Sequence, residues 1–82
     1  MEDIVKKKYL ALFGEAIRNF RIDANLSQEV LAEKAGIDRS YLGGIERGEH
    51  NLALINIIKI ATALNLAPNE LLKSLAIPLG EN

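Results

Sequence analysis

Apolar residues recur at spacings of three and four through Leu10, Phe13, Ile17 and Phe20, which places them on one face of a helix that continues to about residue 23. Ala24 and Asn25 then make a short connection, and Leu26 packs back onto the domain. Ser27 reads as the N-cap of a second helix from Gln28 to Ala35, with Glu29 in the first turn, where negative charge meets exposed amides, and Val30, Leu31 and Ala32 partly inward. Gly36 stops that helix by taking the left-handed conformation, Ile37 covers the end, and Asp38 caps the next one. A third helix runs from residue 39 to about 47, with Leu42 and Ile45 on one side and Gly48 as its C-cap. The segment LALINIIKIATALNL is too apolar for a single exposed face, but Ile57, Ile60, Ala61 and Leu64 give the inward period of a fourth helix that starts near Leu54 and ends at Asn65. Pro68 suits the first position of a fifth helix over about 68–77, which Pro78 terminates. No strand is needed, and the pattern predicts an all-α, compact five-helix bundle in one domain spanning residues 1–82.

Composition narrows the chemistry. The chain is 49% hydrophobic and 26% charged, ordinary globular material, and has no cysteine, so disulfides play no part in holding it. With His50 as the sole histidine, a closed structural zinc site lacks its ligands, and no metal or cofactor is expected. The beginning of the chain lacks the apolar core and small-residue cleavage pattern of a secretory signal, and no apolar run is long enough for a membrane span, so a cytoplasmic location is expected. An enzyme is not expected either. His50 has no nucleophile or carboxylate dyad around it, and Gly43-Gly44 lack the strand and the Gly-Lys-Ser/Thr ending of a phosphate loop. A net charge of −1 gives no general basic footprint, yet a nucleic-acid binder needs positive groups only on the face that meets phosphate.

The second and third helices, joined by Gly36, Ile37 and Asp38 alone, make a helix-turn-helix. Such motifs present the amino end of the second helix to the major groove, so Arg39 is the best-placed reader; its fork of donors matches the O6 and N7 of guanine, and Ser40 meets a base edge or a phosphate. The alternative for Arg39 is a solvent-facing charge beside a cap. Gly43 and Gly44 each cost about 1 kcal/mol inside a helix relative to alanine. They are explained either by close approach to DNA, with Gly44 favoured because it lies one turn beyond Ser40, or by tight packing against a neighbour. Gln28 is a candidate for a phosphate bond at the amino end of the second helix, or an exposed helix former. Tyr41 places its hydroxyl on a phosphate or covers the turn; Arg47 and Asn51 are further backbone candidates, and His50 is a loop surface group, with a place near phosphate as the alternative. Phosphate would repel Glu46, which instead pairs inward with Arg18 or Arg21 and fixes the angle between two helices.

From Leu12 to Leu72 the chain resembles the Cro/C1-type (Xre) helix-turn-helix family: IRNFR in the first helix, LSQEVLAEKAG into the turn, DRSYLGGIERG for the reading helix, then IIKIATALNL. DRSYLGGIERGEHN is particularly similar to the controller proteins of restriction-modification systems. The resemblance implies a lambda-repressor-like DNA-binding domain with its core at about 12–72. It further implies a homodimer on operator DNA, with Arg39, Ser40, Gly44 and Tyr41 at the bases and Gln28, Ser27, Arg47 and Asn51 near the backbone. Glu46 with an arginine of IRNFR would form the family's buttress. Where many relatives carry proline and polar caps, this chain has Leu52, Ala53 and Ala67, and each missing cap costs about 1 kcal/mol.

Five short helices cannot hide every apolar side chain of the carboxyl-terminal half, so Ile55, Ile58, Leu66, Leu72, Leu75 and Ile77 are expected to form a patch that a second copy covers, unless the amino-terminal extension buries it. A two-fold dimer would set two reading helices about 34 Å apart on an inverted repeat. Lys6, Lys7 and Lys8 add attraction to phosphate or simply solvate the first helix. The function these readings predict is a sequence-specific transcription regulator binding double-stranded, palindromic DNA, of the restriction-modification controller kind, with RNA polymerase as a further candidate partner. The alternatives are a small phage-type repressor, or an antitoxin-type module that neutralises a partner protein.

Overall fold

The computed structural model describes residues 1–76, in which α1 (Asp3–Asp23), α2 (Gln28–Ala35), α3 (Arg39–Glu46), α4 (Leu54–Ala63) and α5 (Pro68–Leu72) lead into a 3₁₀ turn (Lys73–Leu75). Among the described residues there is no strand. The core is a single cluster of Phe13 and Ile17 from α1, Leu31, Ala32 and Ala35 from α2, Leu42 and Ile45 from α3, Ile60 and Ala61 from α4 and Leu71 from α5. The long α1 lies across α3, α5 and the 3₁₀ turn, while α2 packs on α3 and α4.

Four helices close by one device. At Asn25, Gly36, Gly48 and Asn65 the backbone turns left-handed, with φ of 59°, 69°, 77° and 60°. Each time, the following N–H reaches five residues back: Leu26 to Arg21, Ile37 to Ala32, Glu49 to Gly44 and Leu66 to Ala61, at 2.9–3.1 Å. Three of the four residues after the turn are apolar, and Leu26, Ile37 and Leu66 all pack on the core. This corrects the expectation for Leu66, which seals the end of α4 rather than joining an exposed patch.

Other boundaries depart from the pattern. Val30, expected partly inward, is exposed, because it sits one residue off the stripe that buries Leu31 and Ala35. Asp38 occupies the N-cap position of α3 without accepting from a backbone N–H of that helix. Its carboxylate instead accepts from Ser40 Oγ at 3.5 Å. The fifth helix is shorter than the sequence suggests. After Leu72 it tightens into the 3₁₀ turn, which packs on α1 and leaves Leu75 half-buried against the core, lining a cavity with Tyr9, Leu10 and Phe13, so Leu75 too is a core-lining residue rather than an exposed one. Ile77 and Pro78 lie outside the described residues. Ala67 has no side chain with which to cap α5, but Glu70 Oε1 accepts from its backbone N–H at 3.1 Å and replaces part of the missing cap. No helix among the described residues is long and apolar enough to cross a membrane.

Candidate nucleic-acid interface

Ser27 accepts from the Val30 N–H at 3.1 Å and starts α2, and the Gly36 turn delivers the chain into α3 after only Ile37 and Asp38. The orientation of α3 is then fixed from its carboxyl end. Glu46, with a side chain 3% exposed, receives Arg21 Nε at 2.7 Å and Arg21 Nη2 at 3.0 Å, and Gln28 Nε2 at 2.9 Å. Arg21 Nη1 also donates to the Leu26 carbonyl at 2.9 Å. One carboxylate thereby ties α1, α2 and α3 together, and it holds the Arg21 guanidinium above its ordinary pKa. Of the two candidate arginines the structure selects Arg21, which lies four residues beyond buried Ile17 on the same helix face; Arg18, one residue beyond Ile17, points to solvent.

Gln28 is accordingly not the free phosphate hand that its position suggested. A buried carboxylate has to be surrounded by donors, and the Gln28 amide supplies one of them. A Cβ at Gly43 would stand 3.2 Å from Arg47 Nη1, the end of an exposed side chain, and at an ordinary 3.5 Å from Gln28 Oε1 of α2, so packing against α2 does not by itself require glycine there.

At the opposite end of α3, Arg39 and Ser40 are exposed. Arg39 has no hydrogen-bond or ion-pair partner among the described residues. Gly44 differs from expectation: it is buried, because the His50 ring lies over it. Tyr41 is half-buried and anchored, its hydroxyl accepting from Asn56 Nδ2 of α4 at 3.2 Å and its ring tilted against His50. The hydroxyl is therefore turned to α4 rather than free beside the reading end. Asn56 was missed by sequence reasoning, since nothing local marks a bond that spans fifteen residues. Arg47 is exposed and paired at both ends of its fork with Glu49, at 2.7 and 3.2 Å. The pair raises the Arg47 pKa and lowers that of Glu49. Asn51 is exposed.

On another side of the molecule Leu54, Ile55, Ile58 and Leu72 are exposed, at 66%, 62%, 38% and 37%. Ile55, Ile58 and Leu72 were anticipated and Leu54 was not, although seven of the ten residues of α4 are apolar.

A helix-turn-helix family model matches residues 17–71, the span from the first buttressed helix to the core residue of α5. The chain belongs to the Cro/C1-type helix-turn-helix family. Among the relatives of this Cro/C1-type chain, control protein C.BamHI of Bacillus amyloliquefaciens is 45% identical over 62 residues, covering 74% of this chain and 76% of that protein. Control protein C.SmaI of Serratia marcescens is 44% identical over 61 residues, covering 74% and 73%. The crystal structure of the restriction-modification controller protein C.AhdI from Aeromonas hydrophila superimposes with a TM-score of 0.75 at 53% identity, covering 76% of this chain and 94% of that one. The fold and the relatives of this Cro/C1-type chain are those of DNA-binding transcription regulators.

Proposed function

We propose that this protein is a sequence-specific DNA-binding transcription regulator of the restriction-modification controller kind, acting as a homodimer on an inverted-repeat operator in the cytoplasm and performing no catalysis. The observation that carries this reading is the contrast between the two ends of α3. Its carboxyl end is locked to α1 and α2 through Glu46, while its amino end presents the guanidinium of Arg39, without a partner among the described residues, beside Ser40. A rigid arm with a free donor fork suits bidentate reading of guanine in the major groove.

Phosphate contacts fall to the backbone N–H groups at the amino end of α2, at Ser27 and Gln28, where helix polarity favours anions, and to Arg47 and Asn51. Arg47 keeps Glu49 in its fork through Nε and Nη2 and turns Nη1 to phosphate, so the acidic loop does not oppose the complex. The exposed stripe of Leu54, Ile55, Ile58 and Leu72 is covered by the second copy, which sets the spacing of the two reading helices. Occupying a promoter operator, the dimer either excludes RNA polymerase or recruits it from an upstream site.

Selection of bound duplexes from a random library at near-physiological salt, followed by titration of the winning site, tests the proposal. Recovery of an inverted repeat bound by two chains is the expected result. Arg39→Ala is expected to relax one base position in each half-site and to weaken specific binding by about 1–3 kcal/mol, with little change on unrelated duplexes. The apolar stripe also fits a protein-binding module of the antitoxin kind, and a folded sample that enriches no duplex would favour that reading.

A further inference from the structure

The loop that follows α3 folds back on it. Gly48 turns left-handed and the Glu49 N–H bonds the Gly44 carbonyl at 2.9 Å, which brings Glu49 and His50 alongside the last turn of the helix. The place that a side chain at Gly44 would take is filled by the imidazole: His50 Nε2 and Cδ2 lie 2.6 and 2.7 Å from the position of a Cβ there. Tyr41 supports the ring from a second side, with centroids 5.0 Å apart and a tilt of 56°. Tyr41 is itself anchored to Asn56 of α4. The imidazole is thus seated against two residues of α3, while the residue remains exposed on its outer side.

Its place around α3 gives that seat a meaning. At about 100° per residue, Tyr41, Leu42, Ile45 and Glu46 occupy the inward half of the helix, and Ser40 and Arg47 lie opposite. Arg39 and Gly43 flank the outward face on the side of α2, where Gln28 packs, and Gly44 flanks it on the side of α4. The ring on Gly44 therefore stands at the edge of the outward face, one helical turn beyond Ser40. An imidazole nitrogen can bond the polar groups that base edges present in the major groove. The neighbouring carboxylate of Glu49 is held in the fork of Arg47.

We propose that His50 is a base-reading residue that substitutes for the side chain Gly44 lacks, so that the reading surface is assembled from α3 and from the loop behind it. The partner is a base edge in the major groove adjacent to the one met by Ser40. This inference rests on the DNA-binding function proposed above.

The test compares base-preference profiles from duplex selection for the natural protein, Arg39→Ala, His50→Phe and His50→Gln, with thermal unfolding of each. Phenylalanine keeps a flat ring for Gly44 and Tyr41 but removes both nitrogens. His50→Phe is expected to lose discrimination at one base pair per half-site, different from the one relaxed by Arg39→Ala, with about a tenfold loss of affinity for the selected site and an unchanged Tm. His50→Gln, which again offers a donor and an acceptor, should recover part of that discrimination. A phenylalanine variant with the full natural profile would overturn the inference and leave the DNA-binding function standing. So would a uniform loss on all duplexes, or a glutamine variant no better than phenylalanine, since either would make the ring a plug for the helix end. If the natural protein selected no site, the DNA-binding function itself would fail, and this inference with it.

Discussion

Glu46 accepts three donor contacts from two side chains while almost wholly removed from water, and both of its oxygens are used. Taking a carboxylate and a guanidinium out of water costs several kcal/mol, and the pair is tolerable because the fork geometry is bidentate and a third donor completes it. Removing one partner leaves the other stranded. Glu46→Ala is expected to destabilise the fold by about 3 kcal/mol, read from urea or thermal unfolding, with a smaller loss for Glu46→Gln, which keeps an acceptor oxygen. Arg47 and Glu49 form the opposite kind of pair, exposed and local. The Arg47 guanidinium depresses the Glu49 pKa below its ordinary 4.5. A carboxylate more acidic in the folded state adds stability above its unfolded pKa, and that contribution disappears as pH falls through the depressed value. Exposure keeps the contribution small, so the direct readout is the side-chain NMR titration of Glu49. Its midpoint should lie below 4.5 in the natural protein and return towards that value in Arg47→Ala. The sequence announced that Glu46 points inward, because acid on a DNA-facing helix is repelled by phosphate. It did not announce Gln28 as the third member, since a glutamine at a helix start suits solvent, phosphate or a buried acid equally well.

At the scale of elements, glycine serves two separate purposes, and a substitution distinguishes them. Gly36 lies at φ 69° with nothing within 4 Å of where a Cβ would be, so only the backbone conformation is at stake. Gly36→Ala should cost about 1–2 kcal/mol, the penalty of a left-handed residue. Gly14 is an ordinary helical residue in α1, but a Cβ there would run into the Ile45 and Glu46 carbonyls of α3. Gly14→Ala must push α1 and α3 apart, which strains the Glu46–Arg21 link at the same junction. A loss of about 1–3 kcal/mol is expected despite alanine's better helix propensity. The two variants separate in a second measurement: Gly14→Ala should perturb amide shifts across α1 and α3, and Gly36→Ala only those near the turn. The stops at Asn25, Gly36, Gly48 and Asn65 were legible, because residues that tolerate positive φ stand one place before an apolar or turn residue. The role of Gly14 was not. A glycine needed for helix-to-helix approach carries no local mark.

At the scale of the molecule, the stripe of Leu54, Ile55, Ile58 and Leu72 leaves four large aliphatic side chains facing water. Exposed apolar surface of this kind suits the contact between two copies proposed above. On the dimer proposed above, replacing Ile55 with aspartate should place a charge in the contact between two copies without touching the core. The expected result is a shift towards monomer in analytical ultracentrifugation. Thermal stability at high dilution should be unchanged, and affinity for the full inverted repeat should fall by about tenfold or more, through loss of linkage between half-sites.

Periodicity, caps and turn residues determined the five helices, the helix-turn-helix and the inward stripe of Phe13, Ile17, Ile57, Ile60 and Ala61, because each depends on interactions within a few residues or on a repeat of one helical turn. The choice of Arg21 over Arg18, the covering of Gly44 by His50, the bond from Asn56 to Tyr41 and the sealing roles of Leu66 and Leu75 were decided only in the tertiary structure. Each of these depends on the angle and separation at which packed helices meet, and the packed core as a whole sets those quantities.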